Sequence, residues 1–372
     1  MANDTDTSER SRKVSAPGPA EAAENPRGAG RLDALRRASV PIRRASARST
    51  GVLTGLVLLC AYMALTEPIF LTWGNITNIV ASNTVILVLA VGATFVIISG
   101  GIDLSTASAA AVTGMTYGLL LKNGQGALVA VGGALLAGLL LGVVNGVLIA
   151  YVRVSFLVVT LGTLAVFESV ALVMNHGRTV NTFSFGAFQP VYKFALNDVG
   201  GIPYLLIFDV VLVAGAALTL KYTSFGRAVY AVGSNPEAAR LNGIKVARTI
   251  FSVYLLAGLA AATASLVQIG RLTGASPTID STLLLTVIAA VLIGGTAYTG
   301  GEGGVGGTVL GVVFLGVIQN GLTLSDVSTF WRGTVNGVVL IVAVAFGVAR
   351  ARGWLTLRRP AAPGPRQKAA GT

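Results

Sequence analysis

Enzymatic chemistry needs nucleophiles, bases or metal ligands gathered at one place, and this sequence supplies the usual ones singly. Cys60 is its one cysteine and His176 its one histidine in 372 residues. An intrachain disulfide and a Cys-based metal cluster are excluded, and a Ser-His-Asp triad would have to be built on His176. That residue stands between Asn175 and Gly177, the setting of an ordinary loop. We therefore expect no catalytic residue and no metal site. The chain also lacks a Gly-x4-Gly-Lys-Ser/Thr run, so it has no standard cradle for nucleotide phosphates. Energy for any work it does must come from another polypeptide or from a gradient.

What remains is a set of isolated acids, glycine-rich turns and polar side chains in apolar surroundings. Asp103 follows Gly100 and Gly101 at the edge of an apolar run. Its carboxylate has two readings: a cap for a helix beginning near Leu104, or a gate or partner contact. Glu168 stands inside another apolar run. Facing lipid would cost a few kcal/mol, so it is expected to face protein or water, in a path or in a helix–helix hydrogen bond. Glu302 lies in the loop from Gly294 and Gly295 to Gly304, which has neither lysine nor flanking strand and reads as a flexible inner connection. Asn83, Thr160 and Asn320, with Thr84, Thr94, Asn145 and Gln319, are candidates for meeting the hydroxyls of a solute.

A further candidate carries helix punctuation. In Ser234-Asn235-Pro236-Glu237-Ala238-Ala239-Arg240-Leu241-Asn242-Gly243, Ser234 and Glu237 have capping-box spacing, Pro236 suits a first turn and Gly243 a left-handed stop. The helix between them has only about seven residues, too few to persist alone in water. It must lie against something: its own domain, or a groove on a partner that takes Ala238, Ala239, Leu241 and Ile244.

The elements that position these residues follow from composition. Hydrophobic residues make up 53% of the chain and charged residues 11%, against roughly 25% charged in a soluble domain. Apolar runs of helix-spanning length, about 20 residues, occur at 51–71, 77–99, 103–121, 126–151, 156–175, 203–221, 249–270, 282–299, 305–324 and 332–350. The expected fold is all-α and polytopic, with about ten transmembrane helices in one domain from 50 to 350. Residues 1–49 and 351–372 are expected to be disordered cytoplasmic tails, the first rich in Ser, Ala, Arg, Pro and Glu and without aromatic residues.

Net charge is +12, and its distribution sets orientation. With both termini inside, Arg153, Lys221, Arg227, Arg240, Lys245, Arg248, Arg350, Arg352, Arg358 and Arg359 are cytoplasmic, and only Lys122, Arg178, Lys193, Arg271 and Arg332 lie outside. Basic charge of this pattern serves topology and anionic lipid, not nucleic acid. Connections 176–202, outside, and 222–248, inside, are the long ones. The outer one, with Asn181, Phe183, Phe188 and Tyr192, reads either as the rim of a mouth or docking face or as a plain surface loop. The series Gly132-Gly133, Gly138 and Gly142 suits close helix packing in lipid.

Five motifs in order carry a resemblance over about 51–350: Gly100-Gly101-Ile102-Asp103-Leu104-Ser105; Val158-Val159-Thr160-Leu161-Gly162-Thr163; Gly226-Arg227 through Gly243; Gly294-Gly295-Thr296 with Gly300-Gly301-Glu302-Gly303; and Asn320-Gly321-Leu322. Together they resemble the ribose-type monosaccharide permeases of ATP-binding-cassette (ABC) importers. The resemblance implies a vitamin-B12-type (type II) importer-like core in a bacterial inner membrane, paired with a second permease copy. It also implies two ATP-binding subunits, which hold the ATP so that this chain needs no cofactor, and an extracytoplasmic solute-binding protein. Ser234, Glu237, Ala238, Ala239, Arg240 and Gly243 would then form the segment that docks on the ATPase. An ion-gradient-driven secondary transporter, and an ABC permease for nucleosides or branched-chain amino acids, stay open as alternatives.

Overall fold

The computed structural model describes residues 51–328 and, beyond them, 331, 333–335, 337–338, 341–342 and 345. The two expected tails and most of the run 332–350 lie outside the described residues. Twelve helices are described before residue 328: α1 (Gly51–Thr66), α2 (Trp73–Ile98), α3 (Thr106–Lys122), α4 (Ala127–Ala150), α5 (Phe156–Met174), α6 (Gln189–Leu196), α7 (Tyr204–Tyr222), α8 (Ser224–Ser234), α9 (Pro236–Leu241), α10 (Val246–Leu272), α11 (Ser281–Ile293) and α12 (Val305–Leu324). Among the described residues strand is confined to two-residue pairs: Val180–Asn181 (β1) with Gly274–Ala275 (β4), and Asp198–Val199 (β2) with Ile202–Pro203 (β3), both antiparallel. Helices α2, α4, α5, α7, α10 and α12 are long and apolar enough to cross a membrane.

Local chemistry sets the helix ends. Glu67 precedes Pro68, a position that disfavours helical backbone, and α1 stops one residue earlier than that pair. Thr72 caps α2 by accepting the Asn75 N–H at 3.4 Å, and Asp280 caps α11 by accepting the Thr282 N–H at 2.8 Å. The expected run 282–299 is corrected: α11 ends at Ile293, because the chain turns through Gly295 at φ 94° and continues as an irregular loop to Gly304. The long connections also hold more structure than expected, with α6 and both strand pairs involving the outer one and α8 and α9 in the inner one.

Helix α2 forms the centre of the bundle, with α7, α10, α11 and α12 against it; Val88, Ala90, Val96 and Ile98 are fully buried. The tightest seam joins α4 to α10. Gly138, Gly142 and Gly146 recur every four residues and so share one face of α4. A methyl group on any of them would collide with α10, at Gly258, at the Tyr254 carbonyl and at Phe251 respectively. Gly133 belongs to a different face, against Leu120 of α3, and Gly132 meets nothing.

Polar side chains pin the same helices. Asn75 and Asn320 exchange two amide hydrogen bonds, at 3.0 and 2.7 Å, between α2 and α12. Thr94 of α2 meets Thr308 of α12 at 2.7 Å, and Thr113 of α3 donates to Ser265 of α10 at 3.0 Å. Replacing Asn320 by Leu leaves the buried Asn75 amide oxygen without its partner, while its nitrogen keeps the Phe70 carbonyl at 2.9 Å. We expect a loss of about 1–2 kcal/mol in unfolding of the purified protein in mixed micelles, with the Asn75→Leu/Asn320→Leu double variant recovering part of it; additive losses would refute the pairing.

Candidate functional site

Three connections distant in sequence meet at one point of the fold. They are the turn after α2, the joint between α8 and α9, and the loop between α11 and α12. The Gly301 N–H donates to the Ile98 carbonyl at 2.8 Å, tying the third loop to the end of α2. Gly300, at φ 82°, lies with its backbone against Gly100 and Gly233, and Gly301, at φ 73°, lies against Ser234. A Cβ on Gly233 would overlap the Ile98 carbonyl oxygen and the Gly301 nitrogen. Side chains complete the joint: the Tyr230 hydroxyl donates to the Gly303 carbonyl at 2.8 Å and Ser234 Oγ donates to the Tyr230 carbonyl at 2.9 Å. Gly294 holds the far end of the loop, its Cα face pressed on the Gly307 backbone of α12.

Helix α8 seats this joint against the bundle. Thr223 caps it by accepting the Gly226 N–H at 3.0 Å, Val229 and Val232 are fully buried, and Phe225 stacks on Phe95 of α2 with ring centroids 6.2 Å apart. Helix α9 follows, six residues long. Its cap is Asn235, which accepts the Ala238 N–H at 2.9 Å, so the expected role of Ser234 is corrected. The reason is Pro236: proline favours the first helical position, which makes the residue before it the cap. Glu237 does not close a capping box but pairs with Arg240 at 2.7 Å, and that guanidinium holds the Glu237 carboxyl below its ordinary range. Gly243 does take the left-handed conformation, at φ 79°.

The faces of α9 are unlike. Ala239 is buried against the rest of the chain, whereas Glu237, Ala238 and Arg240 are exposed and Leu241 is 78% exposed. The exposed face of α9 thus presents an ion pair, a small residue and a leucine.

Asp103 and its neighbours form a second polar knot next to this joint. Its Oδ1 accepts the Ser105 N–H at 2.9 Å and the Ser105 hydroxyl at 2.6 Å, and Asn145 of α4 donates to Ser105 Oγ at 2.8 Å. Thr160 of α5 donates to the Phe156 carbonyl at 2.8 Å and reaches the Ile102 carbonyl at 3.5 Å. The carboxylate thus braces the turn that leads into α3, which begins at Thr106, two residues beyond Leu104.

The remaining sequence candidates are dispersed. Asn83 donates to its own helix, at the Ile79 carbonyl, and abuts Gly316 of α12. Asn320 is occupied by Asn75. Glu168 is exposed on α5, and the exposed Glu302 accepts the Ala297 N–H at its carbonyl at 3.0 Å. Of the outer aromatic residues, Phe188 is buried, Tyr192 packs on it and on Phe183, and Phe183 stays exposed. Sequence reasoning passed over Asp209. It lies in α7, buried, and its Oδ2 accepts the Thr84 hydroxyl of α2 at 2.8 Å. Its signal was the one that singled out Glu168, a lone acid in an apolar run.

Residues 75–344 match the family described as branched-chain amino acid transport system / permease component. The chain belongs to this permease family. The permease is 37% identical over 295 residues to the ribose import permease of Escherichia coli (strain K12), covering 78% of this chain and 91% of the relative. It is 33% identical over 297 residues to the L-arabinose ABC transporter permease of Azospirillum brasilense, covering 80% and 86%. Against the D-allose transport system permease of Escherichia coli (strain K12) the identity is 33% over 290 residues, covering 78% and 88%. No solved structure matched the permease.

The joint is built without room for side chains, so Gly233→Ala tests it directly. The added methyl forces apart Ile98, Gly233 and Gly301. We expect uptake by the variant transporter to fall by roughly ten-fold or more, since overpacking costs about 1–3 kcal/mol, while the amount of protein in the membrane is unchanged. Uptake at the parent level would show that the three loops need not touch.

Proposed function

We propose that this permease is the membrane-spanning subunit of an ABC importer for a monosaccharide, worked by a separate ATPase. The observation that carries this reading is the exposed face of α9, seated on a joint that ties it to α2, α11 and α12. ATP-driven movement of a docked subunit, applied at Glu237, Ala238, Arg240 and Leu241, reaches those helices through backbone contacts. Similarity to ribose, arabinose and allose permeases supports the class of solute. In this reading the run 332–350 supplies a tenth span, the core is of type II, both termini are cytoplasmic in the inner membrane, and the permease works as a pair of copies with two ATP-binding subunits. An extracytoplasmic binding protein delivers the solute on the opposite side, where α6 and the strand pairs lie.

Gly100, Gly101, Gly294, Gly295 and Glu302 belong to the transmitting joint, and Asp103 to the knot that braces it. Among the path candidates Asn83, Thr160, Glu168 and Asn320, the exposed carboxylate of Glu168 is available to a second copy or to a water-filled path, whereas Thr160 and Asn320 hold helices together. Alternating access follows: the pair opens outward to accept the solute, and ATP turnover opens it inward.

Two substitutions separate docking from folding. Glu237→Lys reverses a charge on an exposed surface, and Gly243→Pro denies α9 the φ of 79° at which it ends. Both are expected to reduce ATP-dependent uptake into proteoliposomes roughly ten-fold or more with membrane insertion intact. Uptake that continues without ATP and collapses with an ionophore would instead establish an ion-driven transporter.

A further inference from the structure

The end of the bundle opposite α9 contains a half-open cavity of about 210 Å³ bordered by α2, α10, α11 and α12. Its lining is unusual for an apolar bundle. Ser82 comes from α2, Gln268 and Arg271 from α10, Asp280 from the start of α11 and Gln319 from α12. Arg271 reaches across to Ser82, donating to its hydroxyl at 3.1 Å, which leaves other N–H groups of the guanidinium for the cavity. Asp280 spends Oδ1 on the Thr282 N–H and keeps Oδ2. Neither amide of Gln268 or Gln319 bonds to protein among the described residues. Val85 and Leu283 supply apolar wall.

We infer that this cavity is a binding station for a single monosaccharide, inside the permease itself. The inference rests on the importer reading and goes beyond it by locating a solute site within one chain. Size admits the ligand: about 210 Å³ is the scale of one pentose or hexose ring. Chemistry selects it. A sugar ring presents adjacent hydroxyls that both donate and accept, and these are matched by planar groups offering two parallel bonds. Two amides, a guanidinium and a carboxylate supply such groups, with donors and acceptors mixed. Sugar C–H faces take the aliphatic wall. A lining that hydrogen-bonds a ligand hydroxyl rejects a ligand lacking it more strongly than one carrying an added methylene. The station would therefore screen solutes a second time, after the binding protein has released them.

Cys60 is the only cysteine, so a Cys60→Ser background allows one reporter thiol. Thr282 lines the cavity and has no assigned role toward the ligand; Thr282→Cys places the reporter there. The assembled transporter in proteoliposomes is treated with a methanethiosulfonate reagent in the presence of D-ribose, L-arabinose or D-allose, and uptake of each is measured in the same preparation. A sugar that is taken up should slow labelling, by roughly ten-fold at ten times its Kd, and Gln319→Leu or Gln268→Leu should abolish that protection. A transported sugar that gives no protection, or protection unchanged by both leucine variants, overturns the station and leaves the importer reading standing. Protection by acetate but by no sugar overturns it in favour of an anion site. A transporter that takes up no sugar at all, with the binding protein and ATP supplied, overturns the importer reading instead.

Discussion

Lipid tails are as apolar as leucine, so a bundle immersed in them gains little by burying one hydrophobic face against another. Close backbone approach and hydrogen bonds between helices must hold it together. Both are visible in this permease. Gly138, Gly142 and Gly146 remove every side chain from one face of α4, and α10 comes down onto bare backbone there. Elsewhere polar pairs join the helices: Asn75 with Asn320, Thr94 with Thr308, Thr84 with Asp209. Each pair includes α2, and the three together fix that helix to α12 and α7. Polar residues in a transporter invite assignment to the solute path, but most of those here satisfy one another and act as fasteners.

The same device, carried outside the regular helices, makes the joint beneath α9. A helix of six residues has no stability of its own. It persists because α8 anchors it through Val229, Val232 and Phe225, and because Gly233 lets the α2 and α11–α12 connections close over its start. Backbone stacked on backbone has few internal rotations through which a push could dissipate. In the importer reading, force delivered to the exposed side of α9 would therefore move the ends of α2, α11 and α12 together.

Much of this was legible in the residues. Apolar run length located the membrane-length helices within a few residues, since hydrocarbon thickness leaves little choice of span. The α9 segment was found by its punctuation, although Ser234 and Asn235 are both good caps and only the preference of Pro236 for the first turn decides between them. The run 282–299 was overextended because hydropathy does not register backbone conformation, and Gly294 and Gly295 are apolar enough to read as helix. Helix α8 was absorbed into a loop, its two buried valines being too few to stand out in eleven residues. Asp209 carried the signal that drew attention to Glu168. Its partner Thr84 lies 125 positions away, and no local pattern predicts such a pairing. The meeting of Gly100, Gly233 and Gly300 was illegible for the same reason: Gly100 and Gly300 had local explanations as a turn and a loop, Gly233 drew no separate reading, and the tertiary role appears only when the three segments are seen in contact.

Three of the four helices that border the outer cavity, α2, α11 and α12, run to the joint. Helix α2 carries Ser82 at the cavity and Ile98 at the joint, 16 residues apart, or roughly 24 Å at 1.5 Å per residue. Helix α11 begins at the Asp280 cap and ends at Gly294, where its backbone lies on Gly307 of α12. Along that seam Gly311 meets the Ala290 carbonyl in the same way, so α11 and α12 touch without intervening side chains. A displacement at the joint must reach the cavity as movement of whole helices, because little between the two ends can compress. In the importer reading Ser82, Asp280 and Gln319 would then shift together against Gln268 and Arg271 of α10, and the fit to a ligand would be lost in one step. Coupling of this kind needs no dedicated chain of residues between the sites; it follows from rigid elements that end at both.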